Sequence, residues 1–244
     1  MRPRFALAAL LLLLGCADDT TGRARVRFDL RARGVDTTFT TSRGWAVRVA
    51  EARVSLGPVR WYEGPPIFAL RWWERALGVS VAHAHPGHYV PGEALADMLT
   101  PRVVDLASGA VALSAADGVT GAAQSAHLAL QPPPAGGDAA TVFVRGEATQ
   151  GAQRVRFRGA LALTLNLEGV TAGGNIDRAG WELQVSVGRW VDRVDFAALT
   201  PSAPDAEVEF ATDSQAANAL YRAATSVGSY RVVKLSADDA GRAP

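Results

Sequence analysis

The sequence predicts an all-β fold: one antiparallel, β-sandwich-like domain with a few short helices. Three observations carry this. Short runs in which apolar and polar residues alternate recur from Val26 to Leu235, the signature of strands with one buried and one wet face. Gly- and Pro-containing breaks separate those runs. The chain has 244 residues, 48% of them hydrophobic, which suffices to bury one large core.

Residues 16–23 read as a polar tether, and the domain spans 24–244, beginning near Ala24. Val26, Phe28 and Leu30 alternate with Arg25, Arg27, Asp29 and Arg31, so this strand should be half exposed. Trp45, Val47 and Val49 alternate again. Ala52 to Leu56 and Val59 to Tyr62 then form one run interrupted at Gly57-Pro58. Proline cannot donate to a β ladder, so the break predicts a bulge or an edge position in a bent strand. From residue 63 the alternation stops. Ile67, Leu70, Trp73 and Leu77 recur at spacings of three and four, which predicts a short helix after Pro66. Trp72 lies off that stripe, so Trp72-Trp73 reads either as core or as an exposed contact patch. Gly92 to Leu99, GEALADML, is rich in helix formers and predicts a helical turn or two before Pro101.

Val103 to Leu106 and Ala110 to Leu113 are short strand candidates. In the next strand Ser125, His127 and Ala129 face opposite to Ala126, Leu128 and Leu130. Gln131 to Asp138, QPPPAGGD, is the strongest breaker and reads as a surface loop within one domain. Strands follow at Val142 and Val144, at Val155 and Phe157, from Leu161 to Leu167, and from Trp181 to Val187. The last two, joined across GVTAGGN, read as a hairpin with a long loop. Arg154, Arg156 and Arg158 line a solvent face. Ser214 to Thr225 predicts a C-terminal helix capped by Asp213 or Ser214, and Tyr230 to Leu235 a last strand.

The first sixteen residues differ in character. Arg2 and Arg4 precede a ten-residue apolar run, Phe5 to Leu14, too short to span a bilayer and read as a signal peptide over residues 1–15. Its end, Leu13-Leu14-Gly15-Cys16, resembles the lipobox of bacterial lipoproteins. The resemblance covers the leader alone. It implies cleavage before Cys16, lipid (palmitate among the acyl chains) on that cysteine, and attachment to a membrane. In Gram-negative members of the family an Asp directly after the cysteine favours the inner membrane. Ala17 stands there, so the resemblance implies the outer membrane, facing the periplasm.

Cys16 is the only cysteine, which leaves the domain without a disulfide, a thiolate ligand or a cysteine nucleophile. The formal net charge is +1, and losing Arg2 and Arg4 takes it to about −1. Nucleic acid is therefore not an expected partner. Of the 25 basic residues only Lys234 is lysine.

The sharpest chemical signal is Val79 to Leu99, which gathers three of the four histidines within six residues. If Val79 to His85 is extended, His83 and His85 project from one face with Cα atoms about 6 to 7 Å apart. Pro86-Gly87 can then turn His88 toward them. Three imidazoles suit Cu²⁺ or Zn²⁺. His127, Glu93 or Asp97 would supply a fourth ligand, Glu93 and Asp97 sharing a face if their segment is helical. The leading expectation is a non-enzymatic periplasmic metal-binding lipoprotein. The alternative is a non-catalytic interaction lipoprotein, with the histidines and Trp72-Trp73 shaping a contact surface. A cupin-like metal enzyme ranks third: His83-x-His85 resembles the start of the first cupin motif, but the Glu that should follow and the second histidine motif are missing. No HExxH helix, GxSxG elbow or phosphate loop occurs, and no catalytic residue is assigned.

Overall fold

The computed structural model describes residues 22–66, 90–134, 140–203 and 205–236. The strands, in chain order, are β1 (Arg25–Phe28), β2 (Leu30–Val35), β3 (Thr38–Thr40), β4 (Ala46–Tyr62), β5 (Ala94–Met98), β6 (Arg102–Asp105), β7 (Val111–Ala112), β8 (Ala116–Val119), β9 (Gly121–Leu130), β10 (Val142–Gln150), β11 (Gln153–Leu161), β12 (Leu165–Ile176), β13 (Trp181–Ser186), β14 (Glu207–Glu209) and β15 (Tyr230–Lys234). Two helices, α1 (Val187–Asp192) and α2 (Gln215–Ala224), complete an all-β fold with few short helices. Among the described residues no helix is long and apolar enough to cross a membrane.

β4 is the spine. Along one edge it pairs first with β10, from Ala46 to Val54, and then with β9, from Leu56 to Tyr62; along the other it meets β3, β6 and β5 in turn. The neighbour changes between Val54 and Leu56, and just beyond it, at Gly57-Pro58, the register with β9 shifts, as the sequence predicts. Pro58 has no N–H to leave unpaired there. A Cβ on Gly57 would lie 2.7 Å from the end of the Gln131 side chain and 3.0 Å from the Ala129 Cβ on β9, so glycine leaves room for both.

From β4 the sheet runs outward as β9-β12-β15-β13-β2-β7 on one side and β5-β8-β1 on the other. β1 and β2 are separated only by Asp29, yet β1 pairs with β8 and β2 with β13. The two limbs are thereby joined by one residue, and the sheet curls around its own interior. Val26, Phe28 and Leu30 keep their alternation across the switch, with Phe28 and Leu30 buried.

The interior of the curl holds Phe28, Trp61 and Trp181. The Trp61 ring lies 5.3 Å from Phe28 and 6.1 Å from Trp181, both edge-on, arrangements that add to the area they bury. A second aromatic group, Trp45, Phe157, Phe196 and Phe210, fills the space between β10–β11 and the helices. Ser214 caps α2 by accepting from the Ala217 N–H, and Ala216, Ala217 and Leu220 press its apolar stripe onto this group.

Several expectations need correction. The sheet is mixed: β2–β13, β12–β15 and β11–β14 are parallel. GEALADML forms β5 instead of a helix, because pairing with β4 and β8 and burial of Leu95 and Met98 outweigh local propensity. The helical face proposed for Glu93 and Asp97 therefore does not exist. GVTAGGN lies inside β12, its glycines absorbed in two bulges, and β15 separates β12 from β13, so there is no hairpin. Val187 begins α1 instead of ending a strand. The helix expected after Pro66, Trp72-Trp73, and residues 1–21 with Cys16 lie outside the described residues.

One charged residue is buried among those described: Glu182, 1% exposed. It accepts from Arg31 Nε at 2.8 Å, Arg33 Nη2 at 3.0 Å and Gln184 Nε2 at 2.9 Å. The parallel β2–β13 register sets Arg31 beside Glu182 and Arg33 beside Gln184. Arg31, expected on a wet face, thus lies over a buried carboxylate. Breaking a buried ion pair by removing one partner is costly. Because the arginines left behind are 20% and 45% exposed, Glu182→Ala should destabilise the fold by about 2 to 3 kcal/mol, less than the loss of one partner of a fully buried pair. Urea unfolding checks this, and an unchanged midpoint would contradict it.

Candidate functional site

β4 and β5 are joined by the segment that carries His83, His85 and His88. Those three residues lie outside the described residues; the stem of the connection lies within them. Gly64 N–H donates to the Pro91 carbonyl at 2.7 Å and Glu63 N–H to the Glu93 carbonyl at 3.1 Å. Close approach explains the glycine, since a Cβ on Gly64 would lie 2.5 Å from the Pro91 oxygen. Arg23 spans the stem, bonding Glu63 at 2.7 Å and Glu93 at 3.5 Å. From the neighbouring strand β9, Ser125 Oγ donates to the Gly64 carbonyl at 2.7 Å.

Beside this stem the outer face of the sheet carries a row of polar groups. Asp97 on β5, Arg60 on β4 and His127 on β9 are cross-strand partners, and cross-strand partners share a face. Glu168 falls in the β12 bulge opposite His127. The His127 ring packs against Tyr62, centroids 4.2 Å apart and planes inclined by 38°. Leu128 and Leu130 point inward and are fully buried, so His127 faces away from the leucines as its alternation predicts. Partial burial lowers its pKa below the usual 6.5; the Glu168 carboxylate opposes this, and the Arg60 guanidinium adds to it. The imidazole is neutral at pH 7, the form that can accept a metal.

The three fourth-ligand candidates are not equivalent. Glu93 is held in the ion pair with Arg23, Asp97 stands opposite a guanidinium, and His127 is neutral and flanks the stem. Among the described residues no group of three or more His, Cys, Asp or Glu is placed to hold a metal, so these three form no site of their own. Tyr62, Arg60, Glu168 and Ser125 were missed as neighbours. Tyr62 reads as one more residue of an apolar run, and only the β4–β9 register sets it against His127.

No family model and no curated protein matches the chain. Among solved structures, MbnP from Methylosinus trichosporium superposes with a TM-score of 0.43 at 9% sequence identity, covering 87% of this chain and 99% of its own. The reading of the site rests on this chain's own residues.

His127 should titrate with a midpoint below 6.5 by NMR. Its proton binds more weakly in the folded than in the unfolded state, so the unfolded chain takes up more protons as the pH falls past 6.5. Stability should therefore rise with pH through that window, and His127→Gln should flatten the rise in urea unfolding followed against pH. A midpoint at or above 6.5 would contradict the assignment.

Proposed function

We propose that this chain is an outer-membrane lipoprotein, anchored through Cys16 and facing the periplasm, whose β domain binds one Cu²⁺ or Zn²⁺. His83, His85 and His88 supply three ligands and His127 the fourth. One observation carries the reading: the connection bearing three of the chain's four histidines springs from a stem pinned on both sides, with the remaining histidine, neutral, on the strand beside it. Four nitrogen ligands at about 2.0 to 2.1 Å satisfy either ion. With no thiol in the domain and Met98 its one methionine, the donor set favours Cu²⁺ or Zn²⁺ over Cu⁺. Arg23, Glu63 and Ser125 contribute by fixing where the connection leaves the sheet, which limits the ordering cost of closing the ligand set.

At the other end, acyl chains on Cys16 hold the protein to the bilayer, each buried CH₂ contributing about 0.8 kcal/mol. Residues 16–23 separate the lipid from β1.

Calorimetric titration of the full chain in non-ionic detergent should give one metal per protein. His83→Ala with His85→Ala should abolish binding, and His127→Gln should weaken it about tenfold or more. Undiminished binding in the double variant would overturn the reading. Cys16→Ala should remove palmitate labelling and release the protein from the outer-membrane fraction; retention there would refute the anchor.

A further inference from the structure

The two helices lie side by side at the edge of the β10–β11 layer and enclose a cleft of about 800 Å³. Each gives it one stripe. From α1 and the residue after it come Arg189, Asp192 and Arg193, at spacings of three and four. From α2 come Gln215, Asn218, Ala219, Arg222 and Ala223, at the same helical spacings. The opposite side of α2, with Ala217, Leu220 and Ala224, is buried, as is Ala219 in the cleft floor, and Gln215, Asn218 and Arg222 form the exposed part of the stripe. Ala219 and Ala223 keep the floor low.

The polar groups of the lining are unequally committed. Gln215 is held at both ends, accepting from the Asp195 N–H at 2.9 Å and donating to the Arg193 carbonyl at 2.7 Å. Asn218 donates to the Ser214 carbonyl and Ser229 to the Ala223 carbonyl. Asp192, the one carboxylate of the lining, accepts from the Ser42 N–H at 3.1 Å. The guanidiniums remain. Arg189 gives one N–H to the Gly228 carbonyl at 2.9 Å. Arg193 and Arg222 have neither an ion pair nor a side-chain hydrogen bond among the described residues. The contrast lies close by: Arg43 pairs with Asp195, and Arg145, Arg154 and Arg158 on the adjoining strands each have a glutamate. Three guanidiniums against one carboxylate leave the cleft with an excess of positive charge, with Arg189 on α1, Arg193 at its C-cap and Arg222 on α2.

We propose that the cleft between α1 and α2 binds a phosphate-bearing polyanion through Arg189, Arg193 and Arg222. A planar guanidinium donates in pairs to phosphate oxygens, and a tetrahedral group has enough oxygens to engage all three at once. The same chemistry is offered by a soluble phosphate compound and by an anionic lipid headgroup.

The test is calorimetry of the full chain in non-ionic detergent, titrated with inorganic pyrophosphate in metal-free, low-salt buffer. Saturable binding of one pyrophosphate is expected, about tenfold weaker in Arg193→Ala and in Arg222→Ala and lost when the two are combined. These positions are exposed, so the melting temperature should not move. Arg48→Ala, an exposed arginine outside the cleft, should leave binding unchanged. A second arm adds short-chain phosphatidylglycerol. Displacement of pyrophosphate identifies a lipid headgroup as the source, and no displacement a soluble phosphate. The proposal is overturned if pyrophosphate does not saturate, if the double variant binds like the parent chain, or if Arg48→Ala weakens binding as much as the cleft variants.

Discussion

The fold depends on one long irregular strand, β4, whose pairing with β9 shifts at Gly57-Pro58. A seventeen-residue strand with unbroken pairing would run straight through a single sheet. β4 carries two sets of neighbours instead, β10 up to Val54 and β9 from Leu56 onward, and the bulge at Gly57-Pro58 falls just inside the second set. Each set encloses its own aromatic group, Trp45 with Phe157, Phe196 and Phe210 on one side and Phe28 with Trp61 and Trp181 on the other. Both residues of the bulge have a physical reason: proline lacks the donor that would go unpaired, and glycine admits the Gln131 side chain.

The same strand connects architecture to chemistry. Its far end delivers Arg60 and Tyr62 to the outer face and Gly64 to the stem, while the inward-pointing Trp61 anchors that end in the core. A site on such a segment inherits the rigidity of the ladder up to the stem. The near half serves the helices, because β10 and β11 present the surface against which α2 packs. The stem of the histidine-bearing connection and the arginine-lined cleft thus lie toward opposite ends of one strand.

Side-chain alternation was legible in the sequence because it does not depend on which strand is the partner. Phe28 and Leu30 are buried although their strands pair with different neighbours, and His127 lies on the face its alternation assigned. Partners were not legible. Nothing near Glu182 in the sequence announces Arg31, 151 residues away. GEALADML has helical propensity, and two flanking strands turned it into β5. GVTAGGN carries the composition of a loop, yet a glycine can as well absorb a bulge within a continuous strand, and Gly174 does so at φ 147°. Of the candidate site, the histidine pattern was visible, whereas the stem and the Arg60–His127–Tyr62 neighbourhood exist only through register.

The crossing at Asp29 bears on how the molecule assembles. Phe28 pairs with Ala116, and Leu30 two residues later with Trp181. β7 and β8 offer these first strands one partner each by residue 119, but the β2–β13 pairing must wait until residues 181–186 have followed. Contacts so distant in sequence slow folding and leave strand edges open in the interim. Once β13 arrives, the two limbs lock together at a single residue, and one edge of β2, among the first strands made, is among the last to be covered.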